Sequence, residues 1–77
     1  MKNKEAVWAI QRTHKVTGAV SYLSPGEVNW IPPDDHEKYG TRYGRWVWGE
    51  AEEITGSVRK KNYVDFDYLI LLHEKIK

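Results

Sequence analysis

The segment from Tyr63 to Leu72 limits this chain's folds more than any other. Val64, Phe66, Tyr68, Ile70 and Leu72 alternate onto one side of an extended chain, while Asp65 and Asp67 occupy the other. A period of two marks a β-strand with one buried face. The polar side turns apolar at Leu69 and Leu71. A strand covered on one side only has no use for those two leucines, so they call for cover from another element or from a second copy of the chain. A homodimer through the sheet face bearing Leu69 and Leu71 is therefore an expectation.

Other strands and turns follow from local chemistry. Ala6 to Arg12 is β-branched and aromatic, with Trp8 and Ile10 on one face and Val7 and Ala9 on the other. Thr13 to Gly18 is polar and ends in glycine, as a hairpin connection does. Ala19 to Leu23 reads as the returning strand, stopped by Ser24-Pro25-Gly26. Val28 to Ile31 is a short extended segment before Pro32-Pro33, where two prolines exclude helix and central strand.

Residues 43–58 carry two patterns. Arg45-Trp46-Val47-Trp48-Gly49 has the composition of a strand, yet Tyr43, Val47, Ala51, Ile54 and Val58 recur at helical spacing. The stripe predicts a helix that starts between Arg42 and Gly49, with Thr41 as N-cap and Arg59-Lys60-Lys61 suiting its C-terminal dipole. In helical register Trp46 and Trp48 flank the apolar stripe, whereas in a strand they share a face. The fold expected is α+β: a three-stranded antiparallel sheet with one helix packed on one face, in the order ββαβ. Its core would be Trp8, Ile10, Val20, Tyr22, Val47, Ala51, Ile54, Phe66, Tyr68 and Ile70, and residues 1–77 would form one small domain.

Composition narrows the function classes. Twelve basic and 11 acidic residues leave a net charge of +1, too little for a general pull towards nucleic acid or anionic membrane. No cysteine is present, which removes disulfides, thiolate zinc sites and cysteine nucleophiles. No apolar run approaches the roughly 18 residues of a membrane span, so a soluble cytoplasmic protein is expected. No GxSxG, Walker A or GxGxxG pattern occurs, and a single small sheet has little volume for a water-excluding pocket; the chain reads as a non-enzyme without cofactor. Asp34, Asp35, His36 and Glu37 are adjacent in a loop and lack metal-ligand spacing, so they read as a solvated turn.

The surplus is aromatic. Four tryptophans and five tyrosines crowd a chain that buries roughly 60% of its unfolded surface. Trp, Tyr and Arg dominate binding hot spots. Trp30 reads as a structural lid placed by the Pro-Pro loop, and Trp46, Trp48, Arg45, Arg42 and Tyr43 as candidate partner-binding residues. An alternative set, Arg42, Arg45, Lys60 and Lys61 with Tyr43, has the cation-plus-ring chemistry of a nucleotide or single-stranded nucleic-acid platform.

Tyr22-Leu23-Ser24, Trp30, Tyr39-Gly40-Thr41-Arg42 and Ala51-Glu52-Glu53, in that order, resemble the pattern of a group of short, mostly uncharacterised ββαβ proteins. These are encoded by bacteriophages and prophages of Gram-positive bacteria. The chain departs from the pattern in its extra glycines and in the Arg45-Trp46-Val47-Trp48 stretch. The resemblance implies a phage accessory protein acting in the host cytoplasm, of a kind that binds and inhibits host enzymes or defence systems. It carries over no catalytic residue.

Overall fold

The computed structural model describes residues 6–33 and 43–76. Strand β1 (Trp8–His14) leads through a turn at Lys15–Thr17 into β2 (Val20–Leu23). The turn is closed by the His14 N–H donating to the Ala19 carbonyl at 2.9 Å, while His14 Nδ1 accepts the N–H groups of Val16 and Thr17. Gly18 sits at φ +77°, a conformation that L side chains rarely adopt. A second tight connection follows. Ser24 N–H donates to Asn29 C=O at 2.9 Å and Ser24 Oγ accepts from Asn29 N–H, which returns the chain as β3 (Trp30–Ile31). β3 stops after two residues because Pro32 and Pro33 have no N–H to continue the ladder.

This two-residue strand corrects the three-stranded expectation. Among the described residues the sheet is antiparallel with four strands in the order β3-β2-β1-β4, where β4 is Phe66–Leu72. β1 is central and pairs with β4 from Trp8↔Leu72 to His14↔Phe66. One helix, α1 (Trp48–Lys61), lies across β1 and β4, and a 3-10 turn at His73–Lys75 follows β4. No described helix is long and apolar enough to cross a membrane.

The helix starts inside the expected window, at Trp48, but Tyr43 and Val47 precede it and are not part of its stripe. Val47 stands at the N-cap without a side-chain hydrogen bond; Thr41, expected in that role, lies outside the described residues. Ala51 and Thr55 face the sheet, with Ile54 partly buried beside them. Glu50 in the first turn and Arg59, Lys60 and Lys61 in the last complement the helix dipole.

Pairing parity decides which residues share a face. Gln11 stands opposite Tyr22 and Thr13 opposite Val20. The helix side of the sheet therefore carries Trp8, Ile10, Leu23 and Ile70, which with Trp46 and Ala51 make the main core. Val20 and Tyr22, expected in that core, belong to the far side. There Tyr22, Ile31 and Tyr43 form a second buried cluster edged by Val20, Leu71 and Ile76. The return of the hairpin shifts β2 by one residue relative to the expected pairing, and a shift of one exchanges the faces. Val47, also expected in the core, is exposed at the cap.

Candidate functional site

The segment before the helix takes up the place β2 leaves. Once β2 has turned away at Ser24, Gly44 N–H donates to Leu23 C=O at 2.8 Å, and Trp46 pairs with Trp8 across β1. Each of the two tryptophans donates its N–H to the other's carbonyl, at 2.8 and 3.0 Å. The paired residues of an antiparallel bridge point to the same side. Trp46 therefore enters the core beneath the helix, leaving 8% of its surface exposed. This corrects its reading as a docking anchor: it is a structural residue, placed by an extended segment rather than a helical one. Tyr43 is likewise buried, in the far-side cluster, and its hydroxyl donates to Pro33 C=O at 3.1 Å.

Trp48 behaves differently. As the first residue of α1 it packs its ring edge-on against Trp8, with centroids 4.6 Å apart and planes at 71°, yet stays 44% exposed. The Trp8–Trp46 bridge sets Val7 across from Val47, and both are exposed. Val7 and Val47 therefore turn to the face away from the helix, while Trp48 stands half-exposed at the helix N-terminus against Trp8. Arg45 is also exposed, and His73 donates its N–H to Val7 C=O at 2.9 Å. A ring held from behind by another ring loses little freedom on contact with a partner, which favours Trp48 as an anchor.

Burial and the neighbouring Arg45 charge push the His73 imidazole below its ordinary 6.5. Because the folded chain releases this proton more readily than the unfolded chain, His73's contribution to stability is full above about pH 6.5 and is lost as the pH falls towards the lower folded value. Urea midpoints measured between pH 7.5 and 5 are expected to decline less in His73→Gln than in the parent. Equal slopes would remove His73 as the cause.

A second constellation lies on the same side of the sheet. The Arg12 guanidinium is stacked between Trp30, at 4.4 Å, and Phe66, at 4.0 Å from each ring centroid. His14 meets Phe66 edge-on at 5.1 Å, Tyr68 tilts against Trp30 at 5.9 Å, and the Tyr68 hydroxyl donates to Asn62 C=O at 2.8 Å. Arg12 Nε and Thr55 Oγ1 are buried without a hydrogen-bond partner among the described residues. Arg12 was not among the candidate site residues singled out from the sequence. The available signal was its period-two spacing from Trp8 and Ile10, which puts it on the core side. Its flat cation there closes the core between β3 and the end of α1, with Trp30 as the lid.

The sets expected from the sequence are thus only partly assembled. Arg45 and Trp48 are exposed near the start of α1; Trp46 and Tyr43 are interior; Arg42 lies outside the described residues, as do Asp34, Asp35, His36 and Glu37. Lys60 and Lys61 occupy the last turn of α1, while Arg45 precedes its first. Fourteen helical residues at about 1.5 Å each hold these cations roughly 20 Å apart. With Tyr43 buried as well, the nucleotide-binding set does not form one platform. Among the described residues no group of His, Asp and Glu is arranged to hold a metal ion. The fold defines a small α+β protein with one helix on an antiparallel sheet. No family model, curated protein or solved structure matches the chain.

Proposed function

We propose that the chain is a phage-type accessory protein that binds a host protein, a defence-system component being one candidate, and modulates or inhibits it without chemistry of its own. It would act in the cytoplasm of the host cell. The observation that carries this reading is the half-exposed Trp48 ring at the start of α1, with exposed Arg45 and Val47 just before it in the chain. A rigid, half-exposed tryptophan with an arginine close to it in the chain has the composition of an interface hot spot. The N-cap supports it. Valine is among the poorest N-cap residues, and a local rule broken at an exposed position is a mark of function.

The test exploits that cap. Val47→Asp supplies the missing acceptor and is expected to raise folding stability by about 1 kcal/mol, while it places a charge between Arg45 and Trp48 in the chain. Affinity capture from an extract of Gram-positive cells, read by mass spectrometry, should enrich a specific protein with the parent chain. That protein should be lost with Val47→Asp and with Arg45→Glu. Undiminished capture by both variants would show that the start of α1 is not the docking site. Quenching of tryptophan fluorescence by single-stranded oligonucleotides that fades steeply with salt would instead favour a nucleic-acid binder.

A further inference from the structure

Among the described residues β4 forms one edge of the sheet. Its hydrogen-bonding parity is set by two contacts just beyond its ends. Asp65 C=O accepts from Lys15 N–H at 2.8 Å, and His73 N–H donates to Val7 C=O at 2.9 Å. Residues of an antiparallel strand turn their backbone groups alternately towards one neighbour and the other. The odd-numbered residues are therefore committed to β1, and Phe66, Tyr68, Ile70 and Leu72 direct their N–H and C=O groups outwards. Such an apolar row of open backbone groups is a template for another strand.

We propose that a second copy of this chain completes the edge: β4 pairs antiparallel with β4 of the second copy about a two-fold axis through Leu69, doubling the four-stranded sheet. The register follows from parity. With the axis at Leu69, Phe66 faces Leu72 of the other copy and Tyr68 faces its Ile70, so all four outward residues are used. Moving the axis to Tyr68 or Ile70 leaves an outward residue opposite a position outside the strand.

Three further observations favour a second copy over a foreign strand. Leu69, 54% exposed on the far side of the sheet, would meet its own counterpart at a non-hydrogen-bonded position, where Cα atoms approach to about 4.5 Å. The ends of the strand suit self-pairing: Asp65, a hydrogen-bond acceptor, stands just before its start and His73, an imidazole that can donate, just after its end. Antiparallel pairing puts Asp65 across from His73 of the second copy. The helix adds a third. Lying over the seam of β1 and β4, it would run antiparallel to its counterpart about 10 Å away, two strand spacings, a separation at which helices pack. The acidic start of each, at Glu50, then lies towards the basic end of the other, at Arg59 to Lys61.

Sedimentation of the parent chain across the micromolar range is expected to give twice the 9.0 kDa protomer mass. Leu69→Lys and Leu69→Glu, each repelling itself across the axis, should sediment as folded monomers, and an equimolar mixture of the two should recover the dimer. A parent chain monomeric at high micromolar, a dimer persisting in either charged variant, or a mixture that stays monomeric would overturn the proposal. If both charged variants fail to fold, Leu69→Cys decides, since it introduces the chain's first thiol. Two facing cysteines at the axis meet the geometry of a disulfide, so mild oxidation should link the copies far faster than it links the hairpin-tip variant Val16→Cys. Equal rates would count against the axis.

Discussion

Alanine at Gly44 is expected to destabilise the fold by about 3 kcal/mol or more, a large share of the roughly 4–12 kcal/mol a chain of this length holds. The cause is not backbone conformation. The indole of Trp46 folds back over Gly44, and a Cβ there would fall among the atoms of its six-membered ring. That ring is held between Ile10, Leu23 and Ala51 and has nowhere to retreat. The methyl group would have to lift the indole out of the core or pull the extended segment away from Leu23 and Trp8, and interiors packed to crystal density yield little. At about 4–8 °C per kcal/mol, a fall in melting temperature of 12 °C or more is expected. Gly56→Ala provides the contrast: nothing lies within 4 Å of its Cβ position, and alanine in a helix interior gains up to about 1 kcal/mol over glycine. Equal effects of the two substitutions on the melting temperature would exclude the close approach as the reason for Gly44.

Trp46→Ala is expected to cost about 3–5 kcal/mol, the range for removing a large buried aromatic side chain. Trp46 fills the space between the helix and the central strand at the point where β2 has left the sheet, so its loss empties the core and removes the cover of Ile10 together. Denaturation followed by tryptophan fluorescence and by far-UV circular dichroism should show the loss in both signals. Trp48→Ala should cost markedly less, because that ring touches Trp8 from a half-exposed position. A reversed order would exchange the roles given to the two residues.

Much of this was legible along the chain. The alternation from Val64 to Leu72 marked β4, the AVWAIQR and AVSYL segments marked the central hairpin, and Ala51, Ile54 and Val58 marked the helix. Less was legible where the structure depends on partners distant in sequence. Val28 to Ile31 is too short to declare itself a strand, and it becomes one because Ser24 and Asn29 fold it back against β2. Tyr22 alternates correctly, yet its face depends on the number of residues in the preceding turn, and one residue reverses the answer. Trp46 and Trp48 were the hardest case. They lie on either side of the switch from period two to period 3.6, so neither a wheel nor a zigzag drawn through both describes them. That switch falls at Val47, where no capping side chain announces it. The exposure of Trp48 was anticipated; the cation stacked by Trp30 and Phe66 was not, because stacking needs three strands in register.

The central position of β1 also has a kinetic side. Its first partner, β2, lies next to it in the chain, and a hairpin of this kind closes in microseconds. Its second partner, β4, is almost the full length of the chain away: Trp8 waits for Leu72, and His14 for Phe66. Long-range pairing of this sort has to overcome the entropy of closing a long loop before any contact rewards it. On a ribosome, the apolar flank of β1 therefore stays open until residue 72 has emerged. Folding of this protein should be a single late event that waits for β4, with little native structure accumulating as the chain grows.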